Sequence, residues 1–435
     1  MKSFPDLIAS VRTELPAPPL ARWASMFFSL SVLTFLVSLA ASQAFLAAAG
    51  VCYAAHLLRD RPTVHFPPVG LPLALFCLAT VLSVLWATNP AAGGYAVRKL
   101  VLFLIFLLGA NLVTSRRHFD VLYRGLFLES ALAGLVATGQ FGAQYHAVRA
   151  LHPDRIYFHM TAERVSGFMG HWMNFGGQQM LIFATLLAFL LLVRCAPAGA
   201  SPAPETNDGV DATPKGGATD PRISRLWWLV VAIVTLSIVL NFTRGVWLGC
   251  FVASIYLVAR WRARWLWALP AFLLAGYLAA PTMVRQRVKV LCHPSADPAL
   301  SIRFEMWQVA WRIIQKHPWL GVGPNNIEQV YVLYLPPGKV PERGYHEHFH
   351  NNLLQLGAER GLPCLAAWVW LMTALGWHFC KLRRKLAGGR WVADAALAAW
   401  LAFVVEGLFE FNFGTSPVLM VFLFLMAAPF VAERQ

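Results

Sequence analysis

Twelve long apolar runs are the feature that most limits what this chain can fold into. The runs lie near residues 23–40, 42–58, 69–87, 96–113, 119–140, 170–193, 226–242, 246–260, 265–281, 351–379, 391–409 and 414–432. A helix needs roughly 17 to 25 apolar residues to cross a bilayer, and only helices or closed barrels satisfy their backbone there. We therefore predict an all-α polytopic membrane protein with about twelve transmembrane helices.

The composition agrees with a membrane protein and argues against a nucleic-acid partner. Of the 435 residues, 58% are hydrophobic and 13% are charged, whereas an ordinary soluble domain is roughly 25% charged. The net charge of +15 comes from basic residues scattered among the apolar runs. No continuous basic surface results, so we expect membrane lipids as partners and no nucleic acid.

Basic clusters in alternate loops predict the orientation of the chain. Arg116 with Arg117 and the group around Lys381 lie in loops that fall on the same side when the helices alternate. Because cytoplasmic loops carry an excess of Lys and Arg, both termini are expected in the cytoplasm. We expect one membrane domain over residues 1–435, with a disordered cytoplasmic linker at 196–221, which is rich in Pro, Gly and Ala.

The opposite, outer side is predicted to carry two long loops, at about 141–168 and 282–350. The second loop is expected to be partly helical, because apolar residues recur at helical spacing from Ile302 to Ile314. Ser301 is the predicted N-cap, and the helix is expected to lie against the membrane surface. Long loops on a rigid scaffold commonly carry function, so we expect the working surface here.

Several cations stand on the outer side, where the topological rule gives no reason for them. They are Arg98, Lys99, Arg164, Arg244 and Arg303. An arginine at the centre of a membrane helix costs about 2.5 to 3.5 kcal/mol, so Arg244 is expected at an interface or in a polar cavity. It either binds an anionic ligand or pairs with an acid such as Glu410. For Arg98, Lys99 and Arg303, contact with lipid headgroups is the alternative to ligand binding.

The segment "HEHFH" (346–350) contains the His-Glu-x-x-His pattern of zinc proteases, in His346, Glu347 and His350. In those enzymes the pattern lies inside a helix and a third ligand follows it. Here Pro341 and Gly344 precede it, which favours a loop. We therefore predict no metal site, and we keep an intramembrane zinc metalloprotease only as an alternative.

Four motifs resemble the O-antigen ligase and polymerase-like family. They are "FTRGVWLG" (242–249), "RVSGFMGHWMNFGG" (164–177), "IRFEMWQVAWRIIQKHPWLGVGPNN" (302–326) and "HNNLLQLGAERGLPCLA" (350–366). The resemblance runs from about Arg164 to Asn412. Its strongest part is a His followed by Asn, nine further residues and Gly361, where the large outer loop meets the next spanning helix.

The resemblance implies a glycosyltransferase without metal or cofactor and with a fold similar to the GT-C class. Such enzymes act at the periplasmic face of the bacterial inner membrane on a glycan linked to undecaprenyl diphosphate. By motif, His350 would be the general base, and Arg244 and Arg303 would contact the diphosphate. Weaker expectations of substrate contact fall on Arg98, Lys99, Arg164, Asn351 and His348.

Within this resemblance the ligase branch is favoured, with lipid A-core oligosaccharide as the acceptor and a monomer as the expected state. An O-antigen polymerase or a protein O-oligosaccharyltransferase is the alternative in the same family. A lipid-linked glycan transporter or flippase is an alternative of another class, but the sequence shows no repeated halves of the kind that many transporters have.

Overall fold

A computed structural model describes residues 15–194, 221–292, 298–339, 347–386 and 390–434. Every regular element in these ranges is a helix, so the predicted all-α fold is confirmed for this part of the chain. Apart from Pro221, the predicted linker at 196–221 lies outside the described residues, as does His346 of the His-Glu-x-x-His pattern.

The helices are numbered in chain order. They are α1 Pro19–Val32, α2 Leu39–Asp60, α3 Gly70–Leu85, α4 Pro90–Lys99, α5 Leu104–Leu112, α6 Arg116–Leu151, α7 Ile156–Ala162, α8 Trp172–Phe189, α9 Pro221–Leu240, α10 Arg244–Arg262, α11 Leu269–Ala279, α12 Thr282–Cys292, α13 Pro298–Lys316, α14 Ile327–Val330, α15 Asn352–Lys385, α16 Arg390–Glu406 and α17 Ser416–Glu433. Short 3₁₀ turns join α4 to α5 and α10 to α11, and each pair forms one helical run.

Seven helical runs are long and apolar enough to cross a membrane, which makes this a multi-pass membrane protein. They are Leu39–Asp60, Pro90–Leu112, Arg117–Leu151, Trp172–Val193, Arg244–Ala279, Asn352–Lys385 and Ser416–Glu433. The predicted number of about twelve is thus higher than the described chain supports. A helix occupies each predicted position, but α10 and α11 belong to one apolar run, and α1, α3, α9 and α16 fall short of a full span by length or by apolar length.

The centre of the bundle is formed by α8, α16 and α17. Nearly every residue of α17 is buried, as expected for a helix that is apolar on all sides. In α16 the contact surface is built from alanines, including Ala395, Ala398 and Ala402. Small residues let helix backbones approach closely in membrane proteins, and α16 packs against α8, α10, α15 and α17.

Helix α13 is the amphipathic helix predicted in the second outer loop, but two details differ. It begins at Pro298, so Ser301 lies inside the helix and is not its N-cap. Its apolar face, with Val309 and Ile313, packs on Ile327, Tyr331, Phe349 and other buried residues of the protein. That face therefore contacts protein and not the membrane surface, because the outer segments fold into a small core of their own.

The motif glycine Gly361 produces a kink in α15. It has φ 78° and ψ 171°, a conformation that other residues adopt only with strain. A side chain there would also collide with the backbone of Trp319 and Leu320. Gly361 is thus needed so that the outer segment before α14 can lie directly against the start of α15, next to His350.

Helix α15 yields a direct test of topology, because its part after the kink, from Gly361 to Lys385, spans about 36 Å at 1.5 Å per residue. Cysteines placed at Glu328, in α14 on the side of Phe349, and at Arg384, in the last turn of α15, are expected to react with impermeant reagents from opposite sides of the membrane. Both positions are exposed. The measurement uses a variant without native cysteines; labelling of both positions from one side would contradict the orientation.

Candidate active site

The catalytic histidine of the sequence prediction lies in a non-helical segment just before α15. His350 has φ 48°, in the left-handed region that residues other than Gly rarely enter. Both backbone groups of the preceding Phe349 are held, because its N–H donates to Gln355 Oε1 (2.7 Å) and its carbonyl accepts from Trp307 Nε1 (3.0 Å). Strained backbone of this kind persists only where its surroundings fix it, and it is concentrated at functional sites.

Glu410 faces this histidine from the loop between α16 and α17. His350 Nδ1 lies 3.0 Å from each carboxylate oxygen of Glu410. Arg303 Nη2, from α13, lies 3.8 Å from Glu410 Oε2. A carboxylate only accepts hydrogen bonds, so His350 donates its Nδ1–H, and Nε2 keeps the lone pair of the neutral ring.

The charge of Glu410 is set by opposing effects. Burial acts to raise the pKa of Glu410, but His350 and Arg303 together lower it below its ordinary value. The group therefore stays a carboxylate at neutral pH. A negative charge at this position orients the imidazole and stabilises the imidazolium that forms when Nε2 takes a proton.

The two loops that carry His350 and Glu410 are tied together by side-chain amides. Asn352 N–H donates to Gly407 O (2.8 Å), and Asn352 Nδ2 donates to Asn412 Oδ1 (2.7 Å). Asn351 Oδ1 caps α15 by accepting from the N–H groups of Leu353 and Leu354, while its Nδ2 donates to Leu408 O. The histidine and the carboxylate are thus held in place before any substrate binds.

A cluster of arginines, Arg164, Arg244, Arg287 and Arg303, lies near this pair. Arg164, in the loop before α8, has a pKa lowered to about 9, first by burial and then by the nearby charges of Arg287, Arg244 and Arg303; Glu410 opposes this shift. Arg244, Arg287 and Arg303, from three separate segments, thus lie close enough to Arg164 to act on its charge, and Arg303 contacts Glu410 at 3.8 Å. Because like charges at close range are unfavourable, the cluster is the environment that a multiply charged anion would stabilise.

The loop that carries Arg164 is fixed to its neighbours. Gln140 accepts from the N–H of Ser166 and Gly167 and donates to Gly167 O, and Asn241 Nδ2 donates to the carbonyls of Val165 and Trp172. The Arg164 guanidinium donates to Thr161 O (2.8 Å) and approaches Thr243 Oγ1 (3.4 Å). Arg244, the next residue, begins α10.

Comparison with known families now bears on this arrangement. Residues 229–369 match the O-antigen ligase family model. This segment is similar to an O-antigen ligase domain. The family includes O-antigen ligases, polymerases and O-oligosaccharyltransferases, which are membrane enzymes that transfer undecaprenyl-linked glycans. The match covers about a third of the chain. No curated protein matches the chain.

The segment that matches the O-antigen ligase domain contains Arg244, Arg287, Arg303, His348 and His350, whereas Arg164 and Glu410 lie outside it. The ring of His348 lies 5.7 Å from that of His350, so it borders the site. A substrate contact by His348 stays a prediction. For Asn351, the capping bonds already described indicate a positioning role beside His350.

Arg98 and Lys99 have other contacts. The predicted start of their helix near residue 96 is too late, because α4 begins at Pro90 and both cations lie in its last turn. Both approach the ring of Tyr95, at 5.4 Å and 4.7 Å, and Lys99 Nζ donates to Gly414 O (2.5 Å). Lys99 therefore supports the loop that carries Glu410. A diphosphate contact by either cation stays a prediction.

Sequence reasoning missed three participants. Glu410 was considered only as a partner for Arg244, whereas its contacts given above are with His350 and Arg303. Arg287 lies in the basic stretch "RQRVKV" of residues 285–290, where nothing marks it out from its neighbours. His171 borders the site next to Trp172, and burial lowers its pKa, with Glu410 opposing and Arg164 adding to the shift. The motif "GHW" was a signal for His171 that could have been used.

The zinc-protease alternative has little support in the described residues. Residues 347–351 are not helical, as predicted, whereas a zinc protease carries its His-Glu-x-x-His pattern on a helix. Over the ranges that the structure describes, no group of three His, Cys, Asp or Glu side chains is arranged to hold a metal ion. Glu347 is exposed, and it is His350 that contacts the buried carboxylate.

A chelation experiment tests the role of metal. We expect glycan transfer by the purified protein to survive a strong chelator, and Glu347→Ala to keep more than about half of the turnover, because an exposed side chain away from the reacting atoms contributes little. The measurement compares initial rates with and without chelator. Loss of activity in both tests, with recovery on adding zinc, would revive the protease-like interpretation.

Proposed function

We propose that this protein is an O-antigen ligase that transfers O-antigen polysaccharide from undecaprenyl diphosphate to lipid A-core oligosaccharide. The observation that carries the proposal is the His350–Glu410 pair at 3.0 Å, placed beside a cluster of arginines that a diphosphate would neutralise. The family match supports the use of an undecaprenyl-linked donor. We place the reaction at the periplasmic face of the bacterial inner membrane, on a GT-C-like scaffold.

The nucleophile is a hydroxyl group of the acceptor sugar, and it must lose a proton as it attacks. Nε2 of His350 accepts that proton, because Nδ1 is already committed to Glu410. Glu410 then stabilises the imidazolium that results. The attack forms the new C–O bond at the anomeric carbon while the bond to the carrier oxygen breaks, so one displacement inverts the anomeric configuration.

The leaving group is the carrier diphosphate, on which negative charge grows as the bond breaks. Arg164, Arg244, Arg287 and Arg303 lie where they would meet this charge. Guanidinium groups bind phosphate through two parallel hydrogen bonds and stay charged, and donors placed in advance are worth most where charge develops. A diphosphate leaves as a weak base, so the reaction needs no general acid.

The alternative functions require different features of this site. A polymerase or a protein O-oligosaccharyltransferase would use the same donor site with another acceptor. A transporter or flippase would also need cations for the diphosphate, but it has no use for a histidine held in one tautomer by a buried carboxylate. The held histidine therefore favours a transferase.

The proposed function is tested by deleting the gene in its own bacterium. For a ligase, lipid A-core stays without polymer while polymer linked to the carrier accumulates. For a polymerase, single repeat units are still attached to lipid A-core, and that result would refute the ligase assignment. Restoring polymer attachment with the intact gene, but not with a His350→Ala copy, would connect the effect to the site.

A further inference from the structure

The outward side of α13 carries a groove that has no part in the reaction described so far. The groove is shallow and open to solvent, with about 420 Å³ of space along the helix. The groove is lined by Phe304, Trp307, Gln308, Trp311, Arg312 and Gln315. All six residues belong to α13, and none of them is a member of the arginine cluster. Phe304 directly follows Arg303 in the chain.

Two aromatic side chains of this groove, those of Phe304 and Trp311, are largely exposed and do not belong to the buried core. Phe304 is 52% exposed and Trp311 is 56% exposed. Together with Gln308 and Gln315 they recur at intervals of three and four residues, so they share one side of the helix. The opposite side, with Val309 and Ile313, is the buried one. The groove is thus a separate surface, distinct from the packing face of α13.

The mixture of side chains matches the surface of a sugar. A pyranose ring has faces of C–H bonds, which pack on aromatic rings, and a rim of hydroxyl groups, which need hydrogen-bond partners. Gln308 and Gln315 offer amide donors and acceptors beside the aromatic rings, and Arg312 adds guanidinium donors. Arg312 already donates to Tyr334 O (3.4 Å), but lipid tails would leave the amides of Gln308 and Gln315 without partners, so the composition favours a glycan over lipid tails.

The groove is connected directly to the catalytic loop. Trp307, which lines it, donates its Nε1–H to the carbonyl of Phe349 (3.0 Å), and the next residue is His350. At the same end of α13, Arg303 pairs with Glu410. A glycan in the groove would therefore contact a side chain that is bonded to the loop of His350, while the arginine cluster stays available for the diphosphate of the donor.

We propose that this groove binds the oligosaccharide of the acceptor and delivers its nucleophilic hydroxyl to His350. The inference rests on the proposed ligase function. From Phe304 to Gln315 the helix rises about 16 Å at 1.5 Å per residue, which suits a short oligosaccharide better than one sugar. Binding of this kind would set which acceptor is used, a choice that the arginines and His350 do not make.

The test compares steady-state kinetics of groove variants in detergent with lipid A-core and a carrier-linked donor. Phe304→Ala and Trp311→Ala are each expected to raise the KM for the acceptor by about tenfold, as for a central aromatic contact, with kcat and the KM for the donor within about twofold. Lipid-free core oligosaccharide should inhibit the wild type in competition with the acceptor, and it should inhibit Trp311→Ala about tenfold less well.

Two variants serve as controls. Trp319→Ala removes a tryptophan that is 74% exposed near the same outer segment but lies outside the groove, and it should change neither KM nor inhibition. Trp311→Phe keeps an aromatic ring and should recover most of the acceptor affinity. Unchanged acceptor KM and unchanged inhibition in both alanine variants would overturn the inference, and this is the result expected if the groove faces lipid.

The result that would refute the proposed ligase function differs from the result that would refute the groove. A wild-type protein that transfers nothing to lipid A-core would refute the ligase assignment. The groove can then still be tested by measuring the binding of lipid-free core oligosaccharide in the absence of donor, with tryptophan fluorescence as the signal. Binding by the wild type that weakens about tenfold in Phe304→Ala supports the groove, and absence of binding by the wild type refutes it.

Discussion

His350→Ala is expected to lower turnover by roughly 100- to 10,000-fold while the binding of undecaprenyl diphosphate stays within about threefold of the wild type. This is the usual range for loss of a positioned acid or base, and the diphosphate is held by other residues. The measurement pairs initial rates of glycan transfer with equilibrium binding of the carrier lipid, in the same detergent and on the same protein preparation.

Glu410 acts through His350, so its removal should resemble loss of the histidine. Glu410→Gln is expected to lower turnover at least tenfold, because Gln offers no negative charge to stabilise the imidazolium. The double variant with His350→Ala should be little worse than His350→Ala alone, since residues that act as a unit do not add.

His348→Ala is the matched control for this prediction. Its ring borders that of His350 at 5.7 Å, but its assigned role is substrate contact and not proton transfer. It should therefore keep turnover within about tenfold of the wild type. A His350→Ala protein that keeps full turnover, or that loses carrier binding as severely as turnover, would contradict the assignment of the base.

Arg287→Ala is expected to lower kcat/KM for the donor by about 10- to 100-fold, and Arg244→Ala and Arg303→Ala by similar factors. A hydrogen bond to a charged group is worth about 1.5–3 kcal/mol, and each of these cations would meet the same diphosphate. The losses should overlap when the substitutions are combined. Lys is expected to rescue poorly, because an ammonium group lacks the planar fork of the guanidinium.

Arg285→Ala supplies the matched control for Arg287→Ala. The two residues lie on α12 two positions apart, so their side chains leave the helix on different sides. The charge removed is the same, but Arg287 is the one of the two whose Nε donates to Phe242 O (3.2 Å), two residues before Arg244, and whose charge acts on Arg164. Equal losses in the two variants would show that the net charge of the outer surface matters and that a specific diphosphate site does not exist there.

The positions of the helices could be predicted well from the sequence. The number of helices that span the membrane could be predicted less well. Apolar runs must become helices in a bilayer, so a helix was found at each of the twelve predicted positions. The run of residues 246–281 was predicted as two helices because the charged group at Arg260–Arg264 reads as a loop. In the structure Arg262 is extended (φ −155°, ψ 91°), and a 3₁₀ turn after it joins α10 to α11. Local polarity therefore indicated the end of the α-helix, although α10 and α11 together form one apolar run.

The candidate site was only partly predictable. His350, Arg244 and Arg303 could be found because each belongs to a motif that resembles a known family. Glu410 lies 60 residues from His350, and which of the few acids would face the histidine depends on how α16 returns to the start of α15. Such long-range pairing leaves no local pattern. The distinction between Arg285 and Arg287 likewise depends on the rotation of α12.

Some sequence signals concern structure and not chemistry. Gly361 belongs to the strongest motif, yet its role is to permit the kink against Trp319. Asn351, which directly follows His350 in the motif, acts as the N-cap of α15. A motif around a catalytic residue thus also contains the residues that form the turns and helix caps that hold the catalytic residue in place.

The most direct test of the account is the product formed by the purified protein from carrier-linked polysaccharide and lipid A-core, without added metal. The account predicts polysaccharide attached to lipid A-core with release of undecaprenyl diphosphate, and a new linkage whose anomeric configuration is opposite to that of the donor. A product with retained configuration would require a second displacement that His350 and the arginines do not provide. That result, or growth of the carrier-linked glycan in place of transfer to lipid A-core, would contradict the account.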